Sequence, residues 1–220
     1  MTVALDLEPS QAHTWIDQAA PTHPSLIDSA HVTNELLGFT NVPMAVWIDE
    51  EGTLVRPAEH AAIERSGLAD QPIPDDLPDR LKTMLGEVKK MPDTADAYRA
   101  AVVDWVRRGA ESTFALDPDQ VIARSVDRSI DHSRAAACFE LGRALREAGD
   151  GDGAARLWQE AHRLHPENWT YKRQAWTLVT TPEGEPSDLI QGPTDLYDGN
   201  WLDDVLALGG GQAYYRPAEL

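Results

Sequence analysis

The 220 residues hold a single cysteine, Cys138. That excludes an intrachain disulfide, a zinc centre built from several thiolates and a CxxC redox pair. Basic residues are also scarce. Nineteen Lys and Arg stand against 37 Asp and Glu, a formal net charge of −18, and the pI is about 4.6. A phosphate-binding surface is built from Lys and Arg, so this balance argues against nucleic acid and equally against an anionic membrane face. No apolar run approaches the ~20 residues that a membrane span takes. Met1-Thr2-Val3-Ala4-Leu5-Asp6 lacks the basic and apolar regions of a secretory signal, and the expected compartment is the cytoplasm. GxSxG, P-loop, HExxH and GxGxxG patterns are all missing. What remains is 42% hydrophobic, the proportion of a folded globular chain.

Four pieces are legible. Residues 1–60 read as α/β. Residues 3–7 are a short strand, and Pro9 sits where the first turn of a helix accepts proline. Ala12, Trp15, Ile16 and Ala19 then share one helical face, which Pro21 and Pro24 end. Residues 25–28 are briefly extended, and residues 31–37 form a second helix stopped by Gly38. Residues 44–49 and 53–56 are β runs. Glu50-Glu51-Gly52 between them makes a hairpin loop with glycine where positive φ is needed. Residues 61–92 are a linker or insert, with three prolines between Gln71 and Pro78 and a helix over 81–89. Residues 93–180 are helical. Tyr98, Val102, Trp105 and Val106 line one face, and Asp117-Pro118 starts a further helix. Residues 181–220 are an irregular docking tail in which Gly184, Pro186, Gly192 and Pro193 forbid long elements. Trp201, Leu202, Val205 and Leu206 suggest one short helix there.

Several stretches of residues 2–56 carry a resemblance. They are Val3-Ala4-Leu5-Asp6, Pro24-Ser25-Leu26-Ile27-Asp28, Gly38-Phe39-Thr40-Asn41-Val42-Pro43, Val46-Trp47-Ile48-Asp49 and Gly52-Thr53-Leu54-Val55. In this order they resemble the second half of a thioredoxin-like fold of the TlpA/ResA/peroxiredoxin kind. The resemblance implies a cis Val42-Pro43 peptide and a substrate-facing loop of Thr40, Asn41, Val42, Pro43 and Met44. In that family the redox motif precedes the third strand, where this sequence begins. Some relatives carry a WAxxUGC-type selenocysteine motif, so the expectation is that a catalytic motif lies before Met1. No catalytic residue is then expected in these 220. The family's central strand would also be missing. Buried backbone groups without partners cost ~1–3 kcal/mol each. Three remedies are open: residues 3–7 pair directly with residues 44–49, a second copy supplies the strand and makes a homodimer through exposed strand edges, or residues 1–20 stay poorly ordered while the helical half folds alone. The first is expected for a lone chain and the second at high concentration.

Residues 135–168 resemble one tetratricopeptide repeat. Leu141-Gly142 and Leu145 hold the first helix, Gly149 caps it, and Ala154, Trp158 and Ala161 form the face of the second. Small residues at that spacing allow two helix axes to approach closely. The expected contacts are Ala154 against Leu141 and Gly142, with Trp158 beside Leu145.

The remaining candidates carry little chemistry. Cys138 lies among Ala135, Ala136, Ala137 and Phe139 and reads as a buried, inert thiol. His162 and His165 lie three apart on one helical face, which is half a zinc site without further ligands; solvent exposure is the expectation. Asp150-Gly151-Asp152-Gly153 lacks the glycine and glutamate that a calcium loop places further on. No cofactor and no metal is expected. The fold class is therefore α/β plus α: a partial thioredoxin-like βαβ and hairpin unit, then an all-α repeat-like region. The functional expectation is a thiol/selenol redox-family protein, inactive as a 220-residue chain, with a protein or peptide as partner. The rival is a non-enzymatic interaction module using the repeat-like helices as a platform.

Overall fold

The computed structural model describes residues 1–67, 70–178 and 192–220. The expectations at Gly184 and Pro186 lie outside the described residues. The fold is mixed, largely helical with two small sheets. It divides into two compact units, each discontinuous in sequence: Met1–Thr40 with Asp127–Gly199, and Asn41–Val126 with Asn200–Leu220. The dividing point at Thr40 falls inside the 1–60 span that reads as one piece in the sequence.

In the first unit, β1 (Thr2–Ala4) leads into α1 (Pro9–Ala19), which has Pro9 in its first turn. The chain returns as β2 (Ser25–Ile27), parallel to β1, with Val3 opposite Leu26. This is a βαβ crossover, the usual way to bring two parallel strands together. The expected pairing of residues 3–7 with residues 44–49 does not form. β1 takes β2 instead, because the crossover through α1 already delivers a partner in register. The groups just beyond β1 are met differently. The Gln174 side chain accepts from the Leu7 N–H and donates to the Leu5 carbonyl, each at 2.9 Å. Next comes α2 (Val32–Leu37), closed by Gly38 in the left-handed region.

The helical part of this unit is α6 (Ile130–Glu147), α7 (Gly151–Leu164) and α8 (Trp169–Thr177), numbered to follow five earlier helices. Caps explain their starts. Ser129, Asp150 and Asn168 each accept a first-turn backbone N–H through the side chain. Leu145 meets Gly153, and Gly142 meets Trp158, so α6 and α7 run antiparallel. Trp158, rather than Ala154, fills the space over Gly142. Its indole N–H donates to the Phe139 carbonyl at 2.9 Å, which fixes the ring on that spot. Ala135, Phe139, Trp158, Ala161, Leu164 and Tyr171 form the buried core, with Leu7 packed against it.

The second unit is built on a hairpin of β3 (Met44–Ile48) and β4 (Leu54–His60). The strands are antiparallel, with Met44 opposite His60 and Ile48 opposite Leu54. The turn uses Gly52 at φ +82°, and the Asp49 side chain accepts from the Glu51 and Thr53 N–H groups. The helices are α3 (Asp79–Lys89), α4 (Ala95–Arg108), α5 (Pro118–Arg124) and α9 (Trp201–Ala207). Asp117 and Gln120 make a complete capping box at α5. Trp47, Tyr98 and Ala101 form the core here, joined by Val55, Val102, Trp105 and Phe114. No described helix is long and apolar enough to cross a membrane.

Two outcomes test this account. Gln174→Leu strands the Leu5 carbonyl and the Leu7 N–H, and urea unfolding should give a loss of ~1–3 kcal/mol. A loss under ~0.5 kcal/mol would mean that water replaces the amide without penalty. At Gly142 an added Cβ would lie 2.6 Å from Trp158 Nε1. Gly142→Ala gains ~1 kcal/mol of helix propensity but overpacks the crossing by ~1–3 kcal/mol. Its thermal midpoint should fall, and a rise would show that α7 yields at no cost.

Candidate functional site

The loop singled out by sequence straddles the division of the chain. Thr40 ends the first unit, and its carbonyl accepts from the Trp169 N–H. Asn41, Val42, Pro43 and Met44 open the second unit and lead into β3. The Val42-Pro43 peptide is cis, as the resemblance led us to expect. Asn41 is buried, and its side-chain oxygen accepts from the Val42 N–H at 2.8 Å. Its amide donates to the Tyr214 carbonyl. Val42 is exposed, and its carbonyl accepts from the Tyr215 hydroxyl at 3.1 Å. The Pro43 carbonyl accepts from the Ala61 N–H and from His60 Nδ1 at 3.1 Å. The His60 ring stacks on Tyr215 at 3.9 Å. Burial pushes the His60 pKa down, opposed by its bond to Pro43. The loop is thus held by residues from both ends of the unit, and residues 214–215 lie over its backbone.

Within β4 itself sits a buried ion pair. Arg56 donates to both carboxylate oxygens of Glu59, at 2.7 and 2.8 Å. It also donates to the Phe114 and Glu219 carbonyls, each at 2.9 Å. Its guanidinium lies 5.3 Å from the Trp47 ring centre. A bidentate pair with further donors bonded to two carbonyls is the arrangement in which a buried charge is tolerated. Trp47 in turn donates to the Tyr98 hydroxyl at 2.8 Å, and burial raises the Tyr98 pKa to about 12.

The first unit carries the histidines. Exposure of His162 and His165 was the expectation; both are buried. The reason is that Tyr171 of α8 lies against His165 and Tyr197 lies against His162. His162 packs edge-on against Tyr197, and burial drives its pKa down to about 3. His31, between Phe139 and Tyr171, is likewise lowered to about 4 by burial, with Asp28 and Glu140 opposing. Neither ring nitrogen of His31 or His162 has a hydrogen-bond partner of good geometry among the described residues. His165 stacks on His132 with ring centres 3.9 Å apart and planes within 8°. Glu167 approaches both, at 3.4 Å from His132 Nε2 and 3.9 Å from His165 Nε2. Sequence reading missed this trio because His132 lies 33 positions before His165. The available signal was the helical hairpin itself, which returns the chain to the end where it started.

Cys138 is half-buried rather than enclosed. Burial and the Glu160 carboxylate push its thiol pKa up, away from a nucleophilic thiolate. Near Pro72 and Pro74 the second unit has a shallow, open hollow lined by Ile73, Leu77, Leu85 and Val88, with no titratable group but Lys89. Searches against protein-family models, curated proteins and solved structures give no match.

His31 and His162 define a pH dependence. Their unfolded value is near 6.5 and their folded values are near 4 and 3. As pH falls through 6.5, the unfolded chain takes up protons that the folded chain does not. Each histidine should then cost up to ~1.4 kcal/mol per pH unit, levelling off at its folded pKa. Urea unfolding of the wild type and His162→Gln between pH 7.5 and 5 measures this. The variant should show the shallower decline below pH 6.5, and equal slopes would mean that His162 titrates alike in both states.

Proposed function

We propose that this chain belongs to the thioredoxin-like thiol/selenol redox proteins and that, by itself, it exchanges no disulfide. The loop at Asn41, Val42, Pro43 and Met44 is its peptide-facing element. The observation that carries the reading is the order and pairing of the first six elements. A parallel βαβ pair is followed by a short helix, and Pro43 then stands at the entry to an antiparallel hairpin. Exchange needs a thiolate next to the disulfide it attacks. Cys138 is on α6 with its pKa raised, so it does not supply one. An extended client chain meeting the loop would add to backbone groups in the manner of an extra strand. It competes with Tyr215 for the Val42 carbonyl.

A non-enzymatic interaction module is the second reading. It is favoured by the close α6–α7 pair, in which Trp158 packs over Gly142, and by Leu141, which stays half exposed on α6.

One pair of measurements separates them. Insulin reduction with dithiothreitol as donor should show no turnover above background. Turnover that survives Cys138→Ser would overturn the assignment of an exchange-inactive chain. Amide shift mapping with carboxymethylated insulin B chain should then move Val42, Met44 and His60, more strongly in Tyr215→Phe. Shifts confined to α6 and α7 would support the interaction-module reading instead.

A further inference from the structure

We propose that His132, His165 and Glu167 bind one divalent transition-metal ion of the zinc class, with a fourth position open to water. They are the one group of His, Cys, Asp or Glu among the described residues whose ligand atoms, three or more of them, all lie within 4.8 Å of one another. Zinc takes imidazole nitrogen at 2.0–2.1 Å and carboxylate oxygen at about 2.0–2.2 Å, so a tetrahedral site needs donor atoms roughly 3.3 Å apart. The His132–Glu167 separation is already 3.4 Å, and the His165–Glu167 separation is 3.9 Å. Closing the site takes a rotation of at least one ring out of the stack, so that both in-plane lone pairs meet at the ion, and a turn of one carboxylate. Two imidazoles and one carboxylate suit zinc-class ions, whereas magnesium and calcium select oxygen donors.

The ligands come from firm supports. His132 sits in the first turn of α6, where the Ser129 hydroxyl accepts its backbone N–H at 3.0 Å. His165 and Glu167 flank Pro166 in the turn between α7 and α8. A backbone bond from Asn168 N–H to the His165 carbonyl closes that turn at 3.0 Å. Asn168 is itself buried and caps α8. An ion here would tie the start of α6 to the end of α7. Burial grades across the trio, with His165 enclosed, His132 partly covered and Glu167 half exposed. The ion would thus have a protein side and a solvent side, the pattern of a three-ligand site with water in the remaining position. The inference stands apart from the redox reading, because it rests on the helical hairpin and not on the loop at Pro43.

The test uses the full chain, stripped with chelator and titrated with zinc chloride by calorimetry. Thermal melts run in parallel with zinc and with magnesium, and cobalt(II) provides a visible absorption band. Saturable binding of one zinc per chain is expected, with a higher melting temperature in zinc and no response to magnesium. Glu167→Gln, at a half-exposed position, and His132→Asn should each weaken binding at least ten-fold and lose the intense cobalt band, with the far-UV dichroism of the apo protein retained. Absence of saturable zinc binding overturns the proposal. So does binding of undiminished affinity in both variants, or an equal response to magnesium.

Discussion

The Gln174 carboxamide behaves as a piece of β-strand. It accepts from one backbone N–H and donates to one carbonyl, two residues apart just beyond β1. A neighbouring strand would do the same. The requirement behind it is general: a peptide group withdrawn from water needs a partner. Two-stranded sheets are marginal because most of their backbone has no second neighbour. In the first unit the helical segment supplies what is missing. Gln174 serves the end of β1, the Trp169 N–H serves the Thr40 carbonyl, and Thr170 receives the buried Asn34 amide at 2.7 Å. Residues of α8 thereby hold the end of β1, the α2 helix and the segment after it, some 130 residues or more earlier in the chain.

The second unit meets the same requirement with different chemistry. There the hairpin is braced by a charge. Arg56 binds Glu59 and two carbonyls, from residues 114 and 219, and the Leu116 N–H donates to the Val55 carbonyl. On the other side Glu87 accepts from the Gly211 N–H at 2.8 Å and from Lys90 at 2.6 Å. Gly211 has no room for a side chain, because a Cβ there would collide with the Glu87 carbonyl. Ionic and backbone bonds thus fasten the last twenty residues to a hairpin and a helix that precede them by more than a hundred positions.

Local features were the legible ones. Pro9, Gly38, Gly52, Asp117-Pro118 and Gly149 mark element ends through backbone preference alone, and the structure ends or starts elements beside each of them. The hairpin and the helix at Trp201 follow from short apolar patterns flanked by turn residues. What escaped were the long-range partners. Nothing in the spacing around Gln174 distinguishes a surface glutamine from one that completes a strand 169 positions away. Similarly, the 3.6-residue period places His162 and His165 near one face but does not say that Tyr197 and Tyr171 lie against them. The trio at His132 escaped for the same reason, since its members meet only through the return of a hairpin. At the loop, sequence located Pro43 but not the tyrosines at 214 and 215 that lie over it.

Discontinuous units impose an order on synthesis. The βαβ segment leaves the ribosome well before its finishing side chain, Gln174, which is more than 165 residues behind it. At ~5–20 residues per second that gap lasts about 10–35 s. During this time the hairpin of β3 and β4 is also made, and it too waits, for residues 211–219. Two short sheets with open edges therefore coexist on one nascent chain before either is closed. An open edge is a template for any extended segment that meets it. Both the βαβ segment and the hairpin are thus exposed to mispairing during translation, and a chaperone that shields extended segments would act on this chain then rather than after release.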